Sequence, residues 1–304
     1  MNPRHMSPRC EKLPALTKLG GERYALHVPG AIGAQHNPSV TVHNGALVAC
    51  VRVLSRRRTT NWLGEIDKDW RLIQSRPVVA ALKFEFEDLR LFTLDGKLYA
   101  NAAIHDGSCT NIRQAMLLID GSAVAEINVW QSPRDEKNWM PVPAETRSAF
   151  RFVYAVSPLK VLAHGEAVPE TQPAGFVRGG SQLVPYRRGF LAVVHEVFHP
   201  LQAPGYAVYL PEMGWVPIAS DEKPPPPVVY AHRFVYFDAK LTRIELGPSW
   251  FFDDIGIEFC AGAAWWQDRL VLSYGWRDKK AMVAALWPKD FEPLLPKGAD
   301  DATA

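Results

Sequence analysis

The sequence predicts an all-β fold, a single-domain five-bladed β-propeller, and three observations carry that prediction. Short apolar strands recur in pairs, a turn joins each pair, and the pairs return at intervals of about fifty residues, the length of one four-stranded blade. Five pairs align: "HNPSVTVHNGALVACVRVL" from His36, "FEDLRLFTLDGKLYANAAI" from Phe86, "KNWMPVPAETRSAFRFVYAVSPLKVL" from Lys137, "GGSQLVPYRRGFLAVVHEV" from Gly179 and "IEFCAGAAWWQDRLVLSYGWRD" from Ile257. A doubly wound α/β fold would need helical segments of about 10 to 15 residues between the strands. Only "TNIRQAMLLIDG" comes near helical periodicity. A ten-strand sandwich is the structural alternative, but it would not require the polar start of each pair to recur.

Taken in order, the first pair begins at His36 and Asn37, turns at Asn44-Gly45 and ends near Arg52. Asn-Gly and Asp-Gly suit the positive φ angles of tight hairpin turns. The second pair begins with Glu87, Asp88 and Arg90 and turns at Asp95-Gly96. Acids fit poorly on a half-buried strand, so their place here calls for a chemical reason. The third pair begins at Lys137 and Asn138 and carries Tyr154; the fourth begins at Arg178 and Ser181, turns at Arg188-Gly189 and ends in His195 and Glu196. The fifth begins at Glu258, turns at Gln267-Asp268 and ends with Tyr274 and Asp278.

The expected organisation is an N-terminal extension over 1–30, the propeller over 31–290 and a C-terminal tail over 291–304. A Pro-rich insertion at 199–229 interrupts it, with prolines at 224 to 227 that favour a stiff extended segment. It reads as a surface excursion or as a flap over a site.

Composition narrows the function classes. With 47% hydrophobic and 22% charged residues, the 304-residue chain can close a sizeable core. A net charge of +2 and one short basic run, Arg56, Arg57 and Arg58, give no nucleic-acid footprint. Cys10, Cys50, Cys109 and Cys260 are scattered without C-x-x-C spacing, so neither a metal site nor a disulfide framework is expected, and no cofactor is called for. No apolar stretch has the length of a signal peptide or of a membrane span, so a cytoplasmic protein without a membrane segment is expected.

In a propeller the inner strands converge on the axis, so the polar starts of different pairs meet although they are distant in sequence. The resulting set of acids, bases and amides among aromatic residues suits sugars, whose hydroxyls need polar partners and whose C–H faces stack on rings. The Trp265-Trp266 pair reads as core, as a sugar platform or as an interface.

The stretches "NPSVTVHNGALVACVR", "EDLRLFTLDGKLYA", "GGSQLVPYRRGFLAVVHEV", "HRFVYFDAKLTRIELGPSWFF" and "EFCAGAAWWQDRLVLSYGWRD" together resemble the five-bladed propellers of the β-mannoside phosphorylases and the related β-1,2-mannosyltransferases, over roughly residues 36 to 286. The resemblance implies that Asp88, in an E-D-x-R motif, is the catalytic acid of an inverting transfer, protonating the glycosidic oxygen directly or through a sugar hydroxyl. It implies that His195 helps to hold phosphate. Asn37, Arg52, Glu87, Arg90, Lys137, Asn138, Arg178, Glu196, His232, Arg233, Glu258, Tyr274 and Asp278 are the remaining candidates for substrate binding. An acid working at neutral pH needs a raised pKa, which Glu87 would favour and Arg90 oppose.

The chain departs from that family where Ser157-Pro158 stands for an Arg-Pro and Trp139 for an Arg after the Lys-Asn pair. Loss of guanidiniums weakens the case for phosphorolysis, because Arg gives an oxyanion bidentate contacts. The furanosidase and fructosidase propellers place an acid at the first strand start, where this chain reads "QHNPSV"; a base for hydrolysis would have to be Glu196, Glu258 or Asp278. The sequence therefore points to an inverting glycosyltransferase or glycoside phosphorylase-like enzyme acting on β-mannoside-type sugars in polysaccharide or glycoconjugate metabolism. Its partners would be a carbohydrate donor and acceptor, with phosphate, a sugar phosphate or a nucleotide sugar as candidates. The alternatives are an inverting glycoside hydrolase and a non-catalytic glycan-binding propeller.

Overall fold

A computed structural model describes residues 17–56, 58–81, 84–105, 111–132, 134–169, 177–198, 207–210, 214–217 and 228–297. The architecture is all-β and propeller-like. Strands Ala34–His43, Ala46–Ser55, Arg58–Ile66 and Leu72–Pro77 form the first sheet, and Glu85–Leu94, Lys97–His105, Arg113–Asp120 and Ala123–Val129 the second. A third sheet holds Met140–Val142, Arg151–Ala155 and Lys160–Ala163. The fourth is built on Val177–Gly179, Val184–Tyr186, Gly189–Phe198 and Val229–Asp238; the fifth on Glu258–Trp266, Arg269–Trp276 and Lys280–Leu286. The stretch nearest to helical periodicity is thus a strand, Arg113–Asp120.

Strand periodicity explains the packing. Successive side chains point to opposite faces, and both faces are buried here. In Ala46–Ser55, Leu47, Ala49, Val51 and Val53 join a cluster with Val271, Ala281 and Val283 of the fifth sheet. Val48 and Cys50 face the other way, onto Leu91, Ala100 and Leu117 of the second. Further clusters lie between the second and third, third and fourth, and fourth and fifth sheets, so the apolar layers follow one another in cyclic order.

Segments on either side of the five hairpins take part in this ring. Glu22–Leu26, within the segment expected as an N-terminal extension, pairs antiparallel with Lys280–Leu286 as the outer strand of the fifth sheet. Phe291 and Leu294, in the expected tail, are buried in the cluster between the fourth and fifth sheets. The Pro-rich insertion lies outside the described residues except for residues 228 and 229 and the backbone of 207–210 and 214–217, which pair with each other. Cys10, Cys109 and Arg57 also lie outside them. No helix among the described residues is long and apolar enough to cross a membrane.

The hairpins carry the expected chemistry with one correction. Asn44 and Gly45, Asp95 and Gly96, and Gln267 and Asp268 all take positive φ between directly paired strands. In the fourth sheet, however, the two turn residues are Arg187 and Arg188, with Tyr186 paired to Gly189. Gly189 belongs to the strand, where a Cβ would stand 2.1 Å from the Phe237 carbonyl oxygen.

The inward edge of each innermost strand has no neighbouring strand, so its backbone groups need other partners. Gln182 of the fourth sheet supplies them: its Nε2 donates to the carbonyls of Val40 and Ala263 at 2.6 Å each, and its Oε1 accepts from the Ala263 N–H at 3.1 Å. Ser39 Oγ accepts from the Leu91 N–H at 2.6 Å, and Ser273 Oγ donates to the Pro38 carbonyl at 2.7 Å. These links tie the first, second, fourth and fifth sheets together at the axis. Gln182→Met, similar in shape but unable to make the three bonds, is expected to destabilise the fold by about 2 to 4 kcal/mol, read as a lower urea midpoint at unchanged m-value.

Candidate active site

Three inner strand starts share one backbone device. Asn37, Asp88 and Asn138, about fifty residues apart, have φ of 43°, 51° and 67°. The register slips between His36 and Ser39 in the first sheet, and between Glu87 and Arg90 in the second, so each strand has an extra residue there. Such bulges re-aim a side chain, and Asn and Asp tolerate the left-handed conformation better than most residues. The outcome is that Asn37 Nδ2 donates to Asp88 Oδ1 at 3.0 Å across two sheets. Gly275 permits this approach, since a Cβ there would lie 2.1 Å from Asn37 Oδ1.

Arg52 stands beside the same acids, donating from Nη2 to Glu87 Oε1 at 2.6 Å and from Nη1 to Asp88 Oδ1 at 3.4 Å. Lys137 Nζ meets Glu87 Oε2 at 3.2 Å, and His105 Nε2 lies 3.5 Å from Glu87 Oε1. Beneath them Arg90, 1% exposed, donates from Nε to the Gly180 carbonyl at 2.5 Å, from Nη1 to the Asp88 carbonyl at 3.1 Å and from Nη2 to Asn138 Oδ1 at 3.0 Å. Its guanidinium lies 5.3 Å from the centre of the Phe259 ring.

Burial alone would push the Asp88 carboxyl up, but Arg52, Arg90, the Asn37 amide and Lys137 together outweigh it and hold Asp88 below its ordinary value. Burial likewise pushes Glu87 up, and Arg52 and Lys137 outweigh both burial and the like charge of Asp88. Both groups are carboxylates at neutral pH. The raised acid that an Asp88 proton donor calls for is therefore not the resting state.

Arg178 pairs in register with His195, and His195 with His232. His195 is 2% exposed and stacks on Tyr230 with ring centres 5.1 Å apart. Burial, and then the charges of His232, Arg90 and Arg178, hold its pKa well below the ordinary value, so the ring is neutral. The Tyr230 hydroxyl is pushed up by burial and then by Asp278 and Asp88, while Arg178 acts in the opposite sense. Asp278, in a hairpin turn, lies 3.5 Å from His36 Nδ1.

Contacts thus join Asn37, Arg52, Glu87, Asp88, Arg90, Lys137 and Asn138, while Arg178, His195 and Asp278 stand around Tyr230. Five predicted residues are placed elsewhere. Glu196 and Arg233 alternate with His195 and His232 and so lie on the other face of the sheet, paired with each other at 3.4 Å. His232 is fully buried against Trp250 and Phe252.

Glu258 turns away to accept the N–H groups of Phe252, Asp253 and Asp254 at 2.7, 2.9 and 3.0 Å, and burial lifts it to about 7 against those bonds. Tyr274 stacks on Phe252 and donates to Asp253. Trp265 lies at the opposite end of its strand from Glu258, where its Nε1 donates to the Pro185 carbonyl at 2.7 Å. The sequence reading missed Tyr230, His105 and Phe259; Tyr230 and Phe259 are aromatic residues of apolar strands, and His105 closes a second strand away from the recurring polar starts.

No protein-family model matches the chain, and no curated protein matches it in sequence. Solved structures match it in fold. A GDP-Man-dependent mannosyltransferase from Leishmania mexicana aligns with a TM-score of 0.57 at 12% identity, over 92% of this chain and 94% of that one. A mannose phosphorylase from the same organism, in complex with a phosphate ion, gives 0.53 at 14% identity over 91% and 90%. A glycosyl hydrolase from Bacteroides ovatus gives 0.51 at 14% identity over 92% and 93%. The chain therefore shares one fold with a mannosyltransferase, a mannose phosphorylase and a glycosyl hydrolase, a likeness of architecture that leaves activity to be argued from the site.

Proposed function

We propose that the protein is an inverting glycosyl-transferring enzyme, a five-bladed propeller that moves a mannosyl or related group from a phosphorylated donor onto a sugar acceptor. The cyclic order of the five apolar clusters supports counting each of the five sheets as a blade. One observation carries the choice of reaction. The Asp88 carboxylate is held ionised at the axis by Arg52, Arg90 and Asn37.

In glycoside formation the acceptor hydroxyl attacks the anomeric carbon, the bond from that carbon to the donor phosphate breaks, and the acceptor proton must be taken up. An ionised Asp88 is ready to take it. The phosphate leaves with its own negative charge and needs no proton. Cleavage of a glycoside is the same step reversed and would need Asp88 protonated, against the surrounding cations. Arg178, for which the described residues provide no hydrogen bond or ion pair, stands beside His195 and Tyr230 as a seat for the donor phosphate.

Hydrolysis needs a second carboxylate to activate water. Glu196 is paired with Arg233 and Glu258 with a loop, which leaves Asp278 alone of the three bases considered. That weighs against the hydrolase reading. A purely glycan-binding role would leave two ionised carboxylates and their cations at the axis without a chemical task.

The purified protein, incubated with GDP-mannose or mannose 1-phosphate and simple mannosides, is expected to form a β-linked product and release GDP or phosphate. Release of free mannose from β-mannosides without phosphate would overturn the proposal in favour of hydrolysis. Asp88→Asn is expected to lower kcat about 10²- to 10⁴-fold, the range for general acid–base groups; undiminished turnover would remove Asp88 from the mechanism.

The pH dependence follows from the sign of the Asp88 shift. A base with a lowered pKa is active above that pKa and fails as pH falls through it. The kcat/KM profile for transfer should be level through neutrality with its loss confined to acid pH; a decline between about pH 5 and 8 would mean that a protonated Asp88 is required.

A further inference from the structure

We propose that Glu136 is a positioning residue of this site: its buried carboxylate ties Ser132 to residues 134–139 so that Lys137 reaches Glu87 and Asn138 reaches Arg90. The inference rests on reading Asp88 and Glu87 as the working carboxylates. Glu136 is 1% exposed and does not touch them. Its Oε1 accepts from the Tyr154 hydroxyl at 3.1 Å and from Ser132 Oγ at 3.2 Å, and lies 3.1 Å from Arg134 Nη2; its Oε2 accepts from Trp139 Nε1 at 3.2 Å.

The backbone is held on both sides of the working pair. Before it, the Glu136 N–H donates to the Ile112 carbonyl, and the Ile112 N–H donates to Asp135 Oδ1, each at 2.8 Å. After it, Trp139 is fully buried, and its carbonyl accepts from Asn101 Nδ2 at 2.7 Å. Lys137 and Asn138 are the two residues between these anchors.

The clamp matters because Lys137 is 38% exposed. A half-exposed ion pair on a mobile segment contributes little, since two long side chains must be ordered against screening water. With the backbone fixed, the ammonium has one place to go, and that place is Glu87 Oε2. A buried carboxylate among four polar partners is itself a weak source of stability compared with well-packed apolar residues. Its evident consequence is geometric, holding a lysine and an amide within hydrogen-bond reach of an acid and an arginine from another sheet.

The groups that face Glu87 are Arg52, Lys137, His105 and Asp88; those that face Glu136 are Arg134 and Tyr154, with Ser132 and Trp139. Three variants test the inference through the Glu87 carboxyl titration, followed by NMR in the intact protein without substrate. Lys137→Met should raise the Glu87 pKa, and Glu136→Gln should reproduce that rise. Combining the two should add nothing further.

In turnover, Glu136→Gln should lower kcat about 10- to 100-fold with KM changed much less, the signature of a misplaced group. A lowered melting temperature with Glu87 titrating as before would mean a merely structural role and would overturn the inference. Should Glu136→Gln not fold, Tyr154→Phe removes one of the four partners and should shift Glu87 in the same direction by a smaller amount; an unshifted Glu87 overturns the inference equally. Because the titration needs no substrate, a Glu87 shift upholds the positioning role even if Asp88→Asn leaves turnover intact, a result that bears on the proposed reaction alone.

Discussion

A single guanidinium organises the end of the axis at which the candidate site lies. Arg90 is almost wholly buried, and its donors reach a carbonyl of its own strand, the Asn138 side chain of the third sheet and the Gly180 carbonyl of the fourth, while Phe259 of the fifth covers it. A buried guanidinium must have its donors satisfied, and its planar fork fixes the direction of each bond. Four sheets are thereby set relative to one point. A lysine could neither span those three acceptors nor lie flat against the ring.

The same point sets the electrostatics. Asp88 is placed by its left-handed backbone directly over Arg90, and its carboxylate receives Asn37 and Arg52 from the first sheet. Because both partners belong to the sheet next to that of Asp88, the acid cannot relax away from them without disturbing the packing between the two sheets. Preorganised charge of this kind does not need to reorient during a reaction. The bulges at the strand starts thus do more than punctuate the sheets; they convert an axis of backbone edges into a place where side chains from distant parts of the chain meet.

How far the sequence foretells this depends on which physical rule is at work. Alternating apolar strands, two-residue turns and recurring polar starts are local signals, and they lead to the all-β arrangement and to the cluster around Asp88. Face parity is also written in the sequence, but which face turns toward the candidate site is not. Glu196 and Arg233 are therefore indistinguishable by sequence from His195 and His232, although the pleat sends each pair to opposite sides.

Glu258 has the same position in its repeat as the other polar starts, yet a neighbouring loop with three N–H groups captures its carboxylate. Glu136 stands one residue outside the recurring unit, and its role is visible only through Tyr154 and Trp139, which converge on it in space. Tyr230 follows a long insertion, where no periodicity marks it as the neighbour of His195.

The charge balance of the site extends the argument to its ligand. Arg52, Arg90 and Lys137 surround two carboxylates, so the cluster keeps one positive charge, while Arg178 and Asp278, which act in opposite senses on Tyr230, cancel. A neutral sugar alone would leave this surplus unbalanced, and unbalanced charge is costly wherever burial removes it from water. The phosphorylated donor proposed above would neutralise it, and its negative charge would be drawn to the cluster from solution. The surplus and the ionised Asp88 have one origin, the guanidiniums of Arg52 and Arg90. On the proposed reaction, the arrangement that holds the Asp88 carboxylate ionised would thus also suit an anionic donor.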